Sequence, residues 1–167
     1  NELGATWVNV DNVNITGYEA EESAGVLVES TYNTFSNMRI ASVNYGLLCT
    51  ETGSKNIFRN LHPLYIYEGE LAEEENYLTS VGFEDEWNDN FYDICYSDNF
   101  CTGFTMQTSS NNIYNNSYIM WYTSRGGVEN AFKVNGKFNS VIKNYRVDLV
   151  DQTDGRFMIV AEEGGNG

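Results

Sequence analysis

The fold is decided by the stretch FYDICYSDNFCTGFTMQTSSNNIYNNSYIMWY, residues 91–122. Residues 91–96 are rich in aromatic and branched side chains, and the Ser-Asp-Asn sequence at 97–99 is typical of a turn. Residues 100–108 form the expected return strand, and after a polar loop residues 117–123 form an almost unbroken apolar run. The pattern predicts three antiparallel strands, the last buried on both faces or lying between a core and a ligand.

The composition favours a β protein. The chain has 167 residues, with 12 tyrosines, nine phenylalanines, three tryptophans and a single proline, Pro63. A chain of this length can bury a sizeable core, and short β-rich runs at regular spacing are typical of a sandwich or barrel. We expect residues 1–167 to form one domain, and we identify no internal repeat and no linker.

The net charge of −15 is unevenly distributed. Residues 1–100 hold 18 acidic and three basic side chains, whereas residues 101–167 hold six of each. Such a chain repels phosphate groups, which argues against nucleic acid and anionic membranes as partners. No run approaches the ~20 apolar residues that a membrane-spanning helix needs, so we expect no membrane insertion.

Two features indicate a secreted, extracellular glycoprotein. The chain starts at Asn1 without Met, which fits a mature protein whose leader has been removed. Two glycosylation sequons begin at Asn14 and Asn115, and the second falls in the polar loop, where a glycan would be tolerated.

The remaining strands and one helix complete the expected barrel. Strand-like runs cover residues 26–32, 40–50, 57–67, 77–87 and 156–161. Pro63 interrupts the third run, which predicts an edge strand or a bulge.

The expected helix covers residues 128–146, where apolar residues recur every three or four positions with lysines between them. We therefore predict an eight-stranded, up-and-down antiparallel barrel with one C-terminal amphipathic helix packed outside. A barrel of that size has room for one small ligand.

Part of the chain resembles the tick salivary lipocalins, of which the histamine-binding proteins are the best-known type. The resemblance lies in a hairpin turn that ends in cysteine at 96–101, a strand at 118–121 and a Lys-Phe-Asn sequence at 137–139. Residues 26–32 resemble the first barrel strand of that family, and Cys49 lies near its second-strand cysteine.

The chain lacks the carboxylates by which the amine-binding members of that family hold an ammonium group. Thr102 and Ile119 stand at those positions. Because an ammonium buried without a counter-charge costs several kcal/mol, a more apolar ligand such as a sterol, fatty acid or eicosanoid fits better.

The resemblance also implies which residues line the ligand cavity. Two of them, Tyr32 and Phe35, are expected to close over the ligand at the barrel mouth. The full predicted ligand-binding set is Tyr32, Phe35, Tyr92, Ile94, Thr102, Phe104, Met106, Ile119 and Trp121. The alternative is that these side chains simply fill a small barrel.

The three cysteines leave one thiol over. In the family, the cysteine equivalent to Cys101 pairs with a cysteine near the helix, which is missing here. Across a hairpin, Cys95 and Cys101 can approach the ~5.5 Å Cα separation of a disulfide, whereas along one continuous strand they would be ~20 Å apart. We expect the Cys95–Cys101 disulfide, with Cys49 as a buried thiol or a link to a second chain.

Catalytic and metal sites are not indicated. His62 lies beside Pro63 without a nucleophile signature, and His62 with the three cysteines lacks the spacing of a metal site. The acidic residues at 84–86 and Asp89 could hold a cation, but an acidic turn that caps a hairpin explains them better. We expect no enzyme activity, no cofactor and no metal.

Together these observations predict a lipocalin that sequesters a small, mainly apolar molecule and modulates host defence. One alternative is a barrel scaffold that binds a host protein or an immune-cell receptor, which a fully packed interior would require. A second alternative is a binder of histamine or serotonin that uses other acids. We expect a monomer, or a dimer linked through Cys49.

Overall fold

The protein is a parallel β-solenoid, in which each strand pairs with strands of the neighbouring coils. The computed structural model describes residues 7–17, 23–41, 43–65, 79–86, 89–106, 112–122, 130–135, 141–150 and 159–162. All strand pairings among these residues are parallel.

Sheet A has ten strands and sheet B has six. The strands of sheet A are β1 (Asn9–Asp11), β2 (Asn14–Thr16), β4 (Thr34–Ala41), β6 (Ile57–Leu64), β8 (Phe91–Asp93), β9 (Tyr96–Asp98), β11 (Ile113–Asn115), β12 (Tyr118–Tyr122), β14 (Val141–Lys143) and β15 (Arg146–Val150). The strands of sheet B are β3 (Ala24–Val28), β5 (Tyr45–Cys49), β7 (Val81–Asp85), β10 (Thr102–Met106), β13 (Asn130–Asn135) and β16 (Ile159–Glu162).

The described strands make six coils, each with a sheet A part followed by a sheet B part. The first coil is β1 to β3, the second β4 and β5, the third β6 and β7, the fourth β8 to β10, the fifth β11 to β13 and the sixth β14 to β16. Since neighbouring strands lie about 4.8 Å apart, equivalent residues of successive coils form rows along the solenoid.

Aromatic rows fill the interior. The inner aromatic row of sheet A consists of Val10, Phe35, Phe58, Tyr92, Tyr114 and Ile142. The ring centroids of Phe58 and Tyr92 are 4.7 Å apart, and those of Tyr92 and Tyr114 are 4.6 Å apart. Across the core, Phe104 of sheet B stacks between Phe83 and Phe132 at 4.6 and 5.1 Å. Stacking and burial of these rings stabilise the coils.

A row of left-handed residues turns each coil between the two halves of sheet A. This corner row consists of Asn12, Asn37, Asn60, Ile94, Asn116 and Asn144, all with φ between 50° and 59°. Asparagine tolerates the left-handed conformation because its short side chain can hydrogen-bond locally. The corner row explains why asparagine recurs within the strand-rich segments.

Buried asparagines join the coils just before sheet A. This amide row consists of Asn33, Asn56, Asn90 and Asn112. The backbone N–H of each of the first three members donates a hydrogen bond to the Oδ1 of the next member, at 2.9 Å from Asn33 to Asn56, 2.9 Å from Asn56 to Asn90 and 2.7 Å from Asn90 to Asn112. The amides thus satisfy backbone groups that would otherwise be buried unpaired.

The predicted antiparallel lipocalin barrel is wrong. Strands do form at Phe91–Asp93, Tyr96–Asp98 and Tyr118–Tyr122, but β9 pairs in parallel with β12 instead of folding back on its neighbour in sequence. The turn predicted at 97–99 leads into the other sheet, with Asn99 at φ 62°. Pro63 lies in β6, which pairs on both sides.

The predicted C-terminal helix is also wrong. The described residues of that segment form β13, β14 and β15. The left-handed Asn144 lies between Ile142 and Tyr145 and shifts the in-and-out alternation of the strand by one position. Apolar residues of one face are therefore three positions apart here, instead of the two that a regular strand requires. This corner produces the same spacing as one turn of helix. No helix in the described parts of the chain is long and apolar enough to cross a membrane.

Candidate functional site

The most concentrated chemistry inside the solenoid surrounds the Asp85 carboxyl group. Asp85 ends β7 and is completely buried. Its Oδ2 accepts hydrogen bonds from the Tyr92 hydroxyl at 2.8 Å and from Asn112 Nδ2 at 3.0 Å. Asn90 Nδ2 lies 3.2 Å from both carboxyl oxygens, and the Tyr114 hydroxyl lies 3.4 Å from Oδ2. Four donors therefore converge on one buried acid.

The environment of Asp85 keeps its neighbours protonated. Burial, with the charge of Asp85 as the second cause, raises the pKa of both Tyr92 and Tyr114 well above 10.0. The same two causes raise the pKa of the Cys49 thiol. These groups therefore remain donors at neutral pH, which suits a carboxyl group that needs hydrogen bonds in place of water. Because the cluster is fully buried, its geometry serves the stability of the core.

The accessible chemistry lies on the outer face of sheet A, in two rows on either side of the corner row. The outer polar row consists of Asp11, Ser36, Arg59, Asp93, Asn115 and Lys143. The outer aromatic row consists of Asn14, Arg39, His62, Tyr96, Tyr118 and Arg146. Both rows present one side chain per coil.

Asp93 joins three coils in the outer polar row. Its Oδ1 accepts hydrogen bonds from Asn115 Nδ2 at 3.0 Å and from Asn116 Nδ2 at 2.9 Å in the next coil. Its Oδ2 lies 3.7 Å from Nε of Arg59 in the preceding coil. Exposed ion pairs contribute little singly, but here the pair belongs to a network that spans the coils.

Four members of the outer aromatic row form a continuous stack. Tyr96 and Tyr118 stack at 4.5 Å, His62 packs on Tyr96 at 4.1 Å, and the Arg146 guanidinium lies 5.4 Å from the centre of the Tyr118 ring. His62 Nε2 also lies 3.5 Å from Asp98 Oδ2. Because the rings cover one another's faces, the row presents ring edges, phenol oxygens and a cation to its surroundings.

The predicted ligand-binding residues whose side chains are described fall into two groups, of which the first lies in or beside the interior. Tyr92, Phe104 and Ile119 are fully buried inside the solenoid, Thr102 is buried in sheet B, and Phe35 is half-buried in the inner aromatic row. These five residues therefore lie in or beside the packed interior of the solenoid.

The other predicted ligand-binding residues are scattered. Tyr32 and Ile94 are exposed at 45% and 52%, at different places. Tyr32 stacks on Trp7 and accepts a hydrogen bond from Lys55 Nζ at 3.2 Å. Met106 ends β10 and Trp121 lies in β12, but their side chains fall outside the described part of the structure.

The predicted Cys95–Cys101 disulfide is wrong, since Cys49, Cys95 and Cys101 are all buried free thiols. Cys95 faces the main core in sheet A, whereas Cys101 lies just before β10 in a separate cluster with Tyr65 and Phe100. The disulfide required a hairpin between the two cysteines, and the chain instead continues from one sheet to the other.

The acidic segment at 84–86 is largely buried. Glu84 and Asp85 are buried, and within the described residues no group of three His, Cys, Asp or Glu side chains could hold a metal ion. The two predicted glycosylation sites differ. Asn14 is exposed at the start of β2, whereas Asn115 bonds to Asp93 and to Asn144 within the rows of sheet A.

Comparisons with known proteins identify no relative. No family model, no curated protein and no solved structure matches the chain. The assignment of function therefore depends on the surface chemistry of the solenoid.

Proposed function

We propose that this protein is a binding scaffold that holds an extended glycan chain along the outer face of sheet A. The observation that carries the proposal is the stacked row of Tyr96 and Tyr118, bounded by His62 and Arg146. A polymer of repeating units matches a surface that presents one side chain of each row per coil.

The chemistry of the face suits a polyhydroxylated partner. The outer polar row and the corner row offer carboxylate, carboxamide and guanidinium groups, which can donate and accept hydrogen bonds with sugar hydroxyls. Tyrosine rings add an apolar edge beside a polar hydroxyl, which matches the mixed character of a sugar ring.

Local charge favours acidic glycans within this class. The two outer rows contain the cations Arg39, Arg59, Lys143 and Arg146, against the acids Asp11 and Asp93. The whole chain carries a charge of −15, so this concentration of cations distinguishes the two rows from the rest of the protein. Positive groups attract carboxylate-bearing sugars over distances up to the screening length.

The test is binding to polysaccharides of defined charge. The protein is incubated with insoluble polygalacturonate, xylan and cellulose, and the bound fraction is measured. We expect binding to polygalacturonate above that to the neutral polymers, and a loss of about fivefold or more in the double variant Tyr96→Ala/Tyr118→Ala. Tyr32→Asn removes an exposed tyrosine away from the two rows and should bind like the wild type. Equal binding by the double variant, or no binding to any polymer, would reject the proposal.

A protein partner is the second candidate. Ile57 and Val141 are the first residues of β6 and β14, and they are 37% and 45% exposed. Phe91 and Ile113 lie between them in the same row, and a contiguous apolar patch on a surface marks an interaction site. The test uses a library of displayed extracellular proteins, from which we expect partners that bind the wild type and lose affinity for Ile57→Lys.

Sequestration of a small apolar molecule stays an untested prediction. Its physical argument required a closed barrel, and the inner rows of the solenoid are instead filled with side chains. Secretion and the lack of enzyme activity likewise remain predictions.

A further inference from the structure

The two ends of the solenoid carry strands that are paired on one side. In the sixth coil, β14 pairs with β11 and β15 pairs with β12, and in the first coil β1 and β2 pair with β4. No other strand of the described residues pairs with these four. Within the described residues, each of these end strands therefore has an unpaired side with a row of backbone donors and acceptors, to which a further coil could bind.

The side chains at the two ends continue the same rows. Ile142 ends the inner aromatic row and Val10 begins it, and both are only half-buried although the central members are fully buried. Asn144 and Asn12 likewise end and begin the corner row, with φ of 53° and 59°. If the sixth coil of one molecule paired with the first coil of another in the register that the coils already have, Ile142 would lie beside Val10.

Charge complementarity follows an arrangement already present inside the protein. Asp93 Oδ1 accepts hydrogen bonds from Asn115 and Asn116 of the next coil, and Arg59 of the preceding coil lies 3.7 Å from Oδ2. Asp11 lies in the same row, and its Oδ1 likewise accepts hydrogen bonds from the next coil. The donors are Ser36 Oγ at 2.7 Å and Asn37 Nδ2 at 2.8 Å.

Among the described residues, no side chain of a preceding coil occupies the position relative to Asp11 that Arg59 has relative to Asp93. Lys143 occupies that row in the sixth coil, and it makes no ion pair with any described residue. The hydrogen bonds to Ser36 and Asn37 lower the pKa of Asp11 below its ordinary 3.8, so the acid is ionised at neutral pH.

We propose that copies of this chain bind head to tail, with the sixth coil of one copy pairing in parallel with the first coil of the next. Lys143 then pairs with Asp11 as Arg59 pairs with Asp93. Asn12 donates to Asn144 Oδ1, as Asn60 Nδ2 donates to Asn37 Oδ1 at 2.7 Å. Because this contact joins two different surfaces, it leaves a free end on each copy and produces linear assemblies.

Sedimentation velocity over a range of protein concentrations tests the proposal. At about 0.15 M salt, where repulsion between the acidic chains is screened beyond about 8 Å, we expect species that grow through dimer and trimer with concentration. A protein that stays monomeric at all concentrations overturns the proposal. Growth that stops at a dimer also overturns it, because a symmetric contact would close.

Charge reversal at the two ends identifies the contact. Lys143→Asp and Asp11→Lys should each weaken association by at least about fivefold, since each places like charges across the junction. An equal mixture of the two variants should restore association, because each then meets a complementary end of the other. Arg39→Asp makes the same change of charge as Lys143→Asp, but on the second coil and away from the junction. It should therefore leave association unchanged.

Unfolding curves for each variant show whether the coils remain intact. If single variants with wild-type unfolding curves associate like the wild type, or if the mixture is no better than either variant, the assignment of the contact is wrong.

Discussion

The hydroxyl of Tyr92 donates a 2.8 Å hydrogen bond to Oδ2 of Asp85 in a fully buried part of the core. Tyr92 belongs to the inner aromatic row of sheet A, and Asp85 ends a strand of sheet B. The bond therefore joins the two sheets across the interior. A buried carboxyl group without such donors would destabilise the fold by several kcal/mol.

Removing the Tyr92 hydroxyl should destabilise the protein with little change in shape. Tyr92→Phe keeps the stacking with Phe58 and Tyr114 but deprives Asp85 of a 2.8 Å hydrogen bond. Hydrogen bonds to charged groups contribute about 1.5–3 kcal/mol, and we expect a loss of that size in the free energy of unfolding. Chemical denaturation at neutral pH measures it.

The matched control for that variant is Tyr114→Phe. Its hydroxyl lies 3.4 Å from the same oxygen, so the hydrogen bond is weaker and the expected loss is smaller. An equal or larger loss in Tyr114→Phe would mean that the hydrogen bond from Tyr92 does not determine the stability of the cluster.

The β class could be predicted from the sequence, but the pairing of the strands could not. Aromatic and branched runs indicate strands equally in a barrel and in a solenoid, because the same alternation buries one face in both folds. What distinguishes them is a repeat, and this chain has one. The segments VDNVNI at 10–15, FSNMRI at 35–40, FRNLHP at 58–63, YDICYS at 92–97, YNNSYI at 114–119 and IKNYRV at 142–147 occupy the same place in successive coils.

The prediction of no internal repeat was therefore wrong, and the cause is the uneven length of the coils. The six segments start at intervals of 25, 23, 34, 22 and 28 residues, so no fixed period connects them. The longest interval includes the connection between β6 and β7. A search for asparagine two positions after an apolar residue that starts each segment would have found five of the six segments, since the fourth has Ile94 there.

The surface rows could not be predicted without the repeat. His62, Tyr96, Tyr118 and Arg146 are far apart in sequence, and only parallel stacking brings them into one row. Asp85 was recognised in an acidic segment, but its burial depends on its partners in later coils. The composition of that segment indicated only an acidic turn that caps a hairpin or holds a cation.

Replacing Ile94 with asparagine should stabilise the protein. Ile94 is the one branched residue of the corner row, with φ 56°, and its side chain is 52% exposed. A left-handed conformation costs a branched residue about 1–2 kcal/mol, and little buried area is lost when the side chain changes. We expect Ile94→Asn to raise the free energy of unfolding by about 1 kcal/mol in chemical denaturation.

The reverse substitution at the start of the same row provides the control. Asn12 has φ 59°, and its backbone N–H donates a hydrogen bond to the Ser36 carbonyl oxygen in the next coil. Asn12→Ile should therefore destabilise the protein by a similar amount through backbone strain. Stability that is unchanged in both variants would argue against a conformational cost at the corner.

Adding one methyl group at Gly82 should destabilise the protein. A Cβ at Gly82 would collide with the Ser97 side chain and lie 2.7 Å from the Gly103 carbonyl oxygen. The two sheets approach each other closely there, and overpacking of this kind costs about 1–3 kcal/mol. We expect a fall of that size for Gly82→Ala in thermal and chemical unfolding.

A second substitution separates the two collisions. Ser97→Gly in the Gly82→Ala background removes the side-chain collision but not the one with the carbonyl oxygen, so part of the loss should be recovered. If Gly82→Ala is as stable as the wild type, the close approach of the sheets is not maintained in solution.

The three thiols should be unreactive until the protein unfolds. Cys49, Cys95 and Cys101 are all buried, so a thiol reagent at pH 8 should find none in the native protein and three after denaturation. Burial raises the pKa of Cys95 from its ordinary 9.0 to about 12. The native state thus keeps the Cys95 thiol protonated, whereas in the unfolded chain the same thiol ionises above pH 9.

The contribution of Cys95 to stability should therefore be constant below pH 9 and should fall as the pH rises towards 12, by up to about 4 kcal/mol. The pKa values of Tyr92 and Tyr114 are raised too, and they add to the loss above their ordinary pKa of 10.0. Cys95→Ala should reduce the slope between pH 9 and 10, where the tyrosines contribute least. Reactive thiols in the native protein, or an unchanged slope in Cys95→Ala, would contradict the burial of Cys95 in the core.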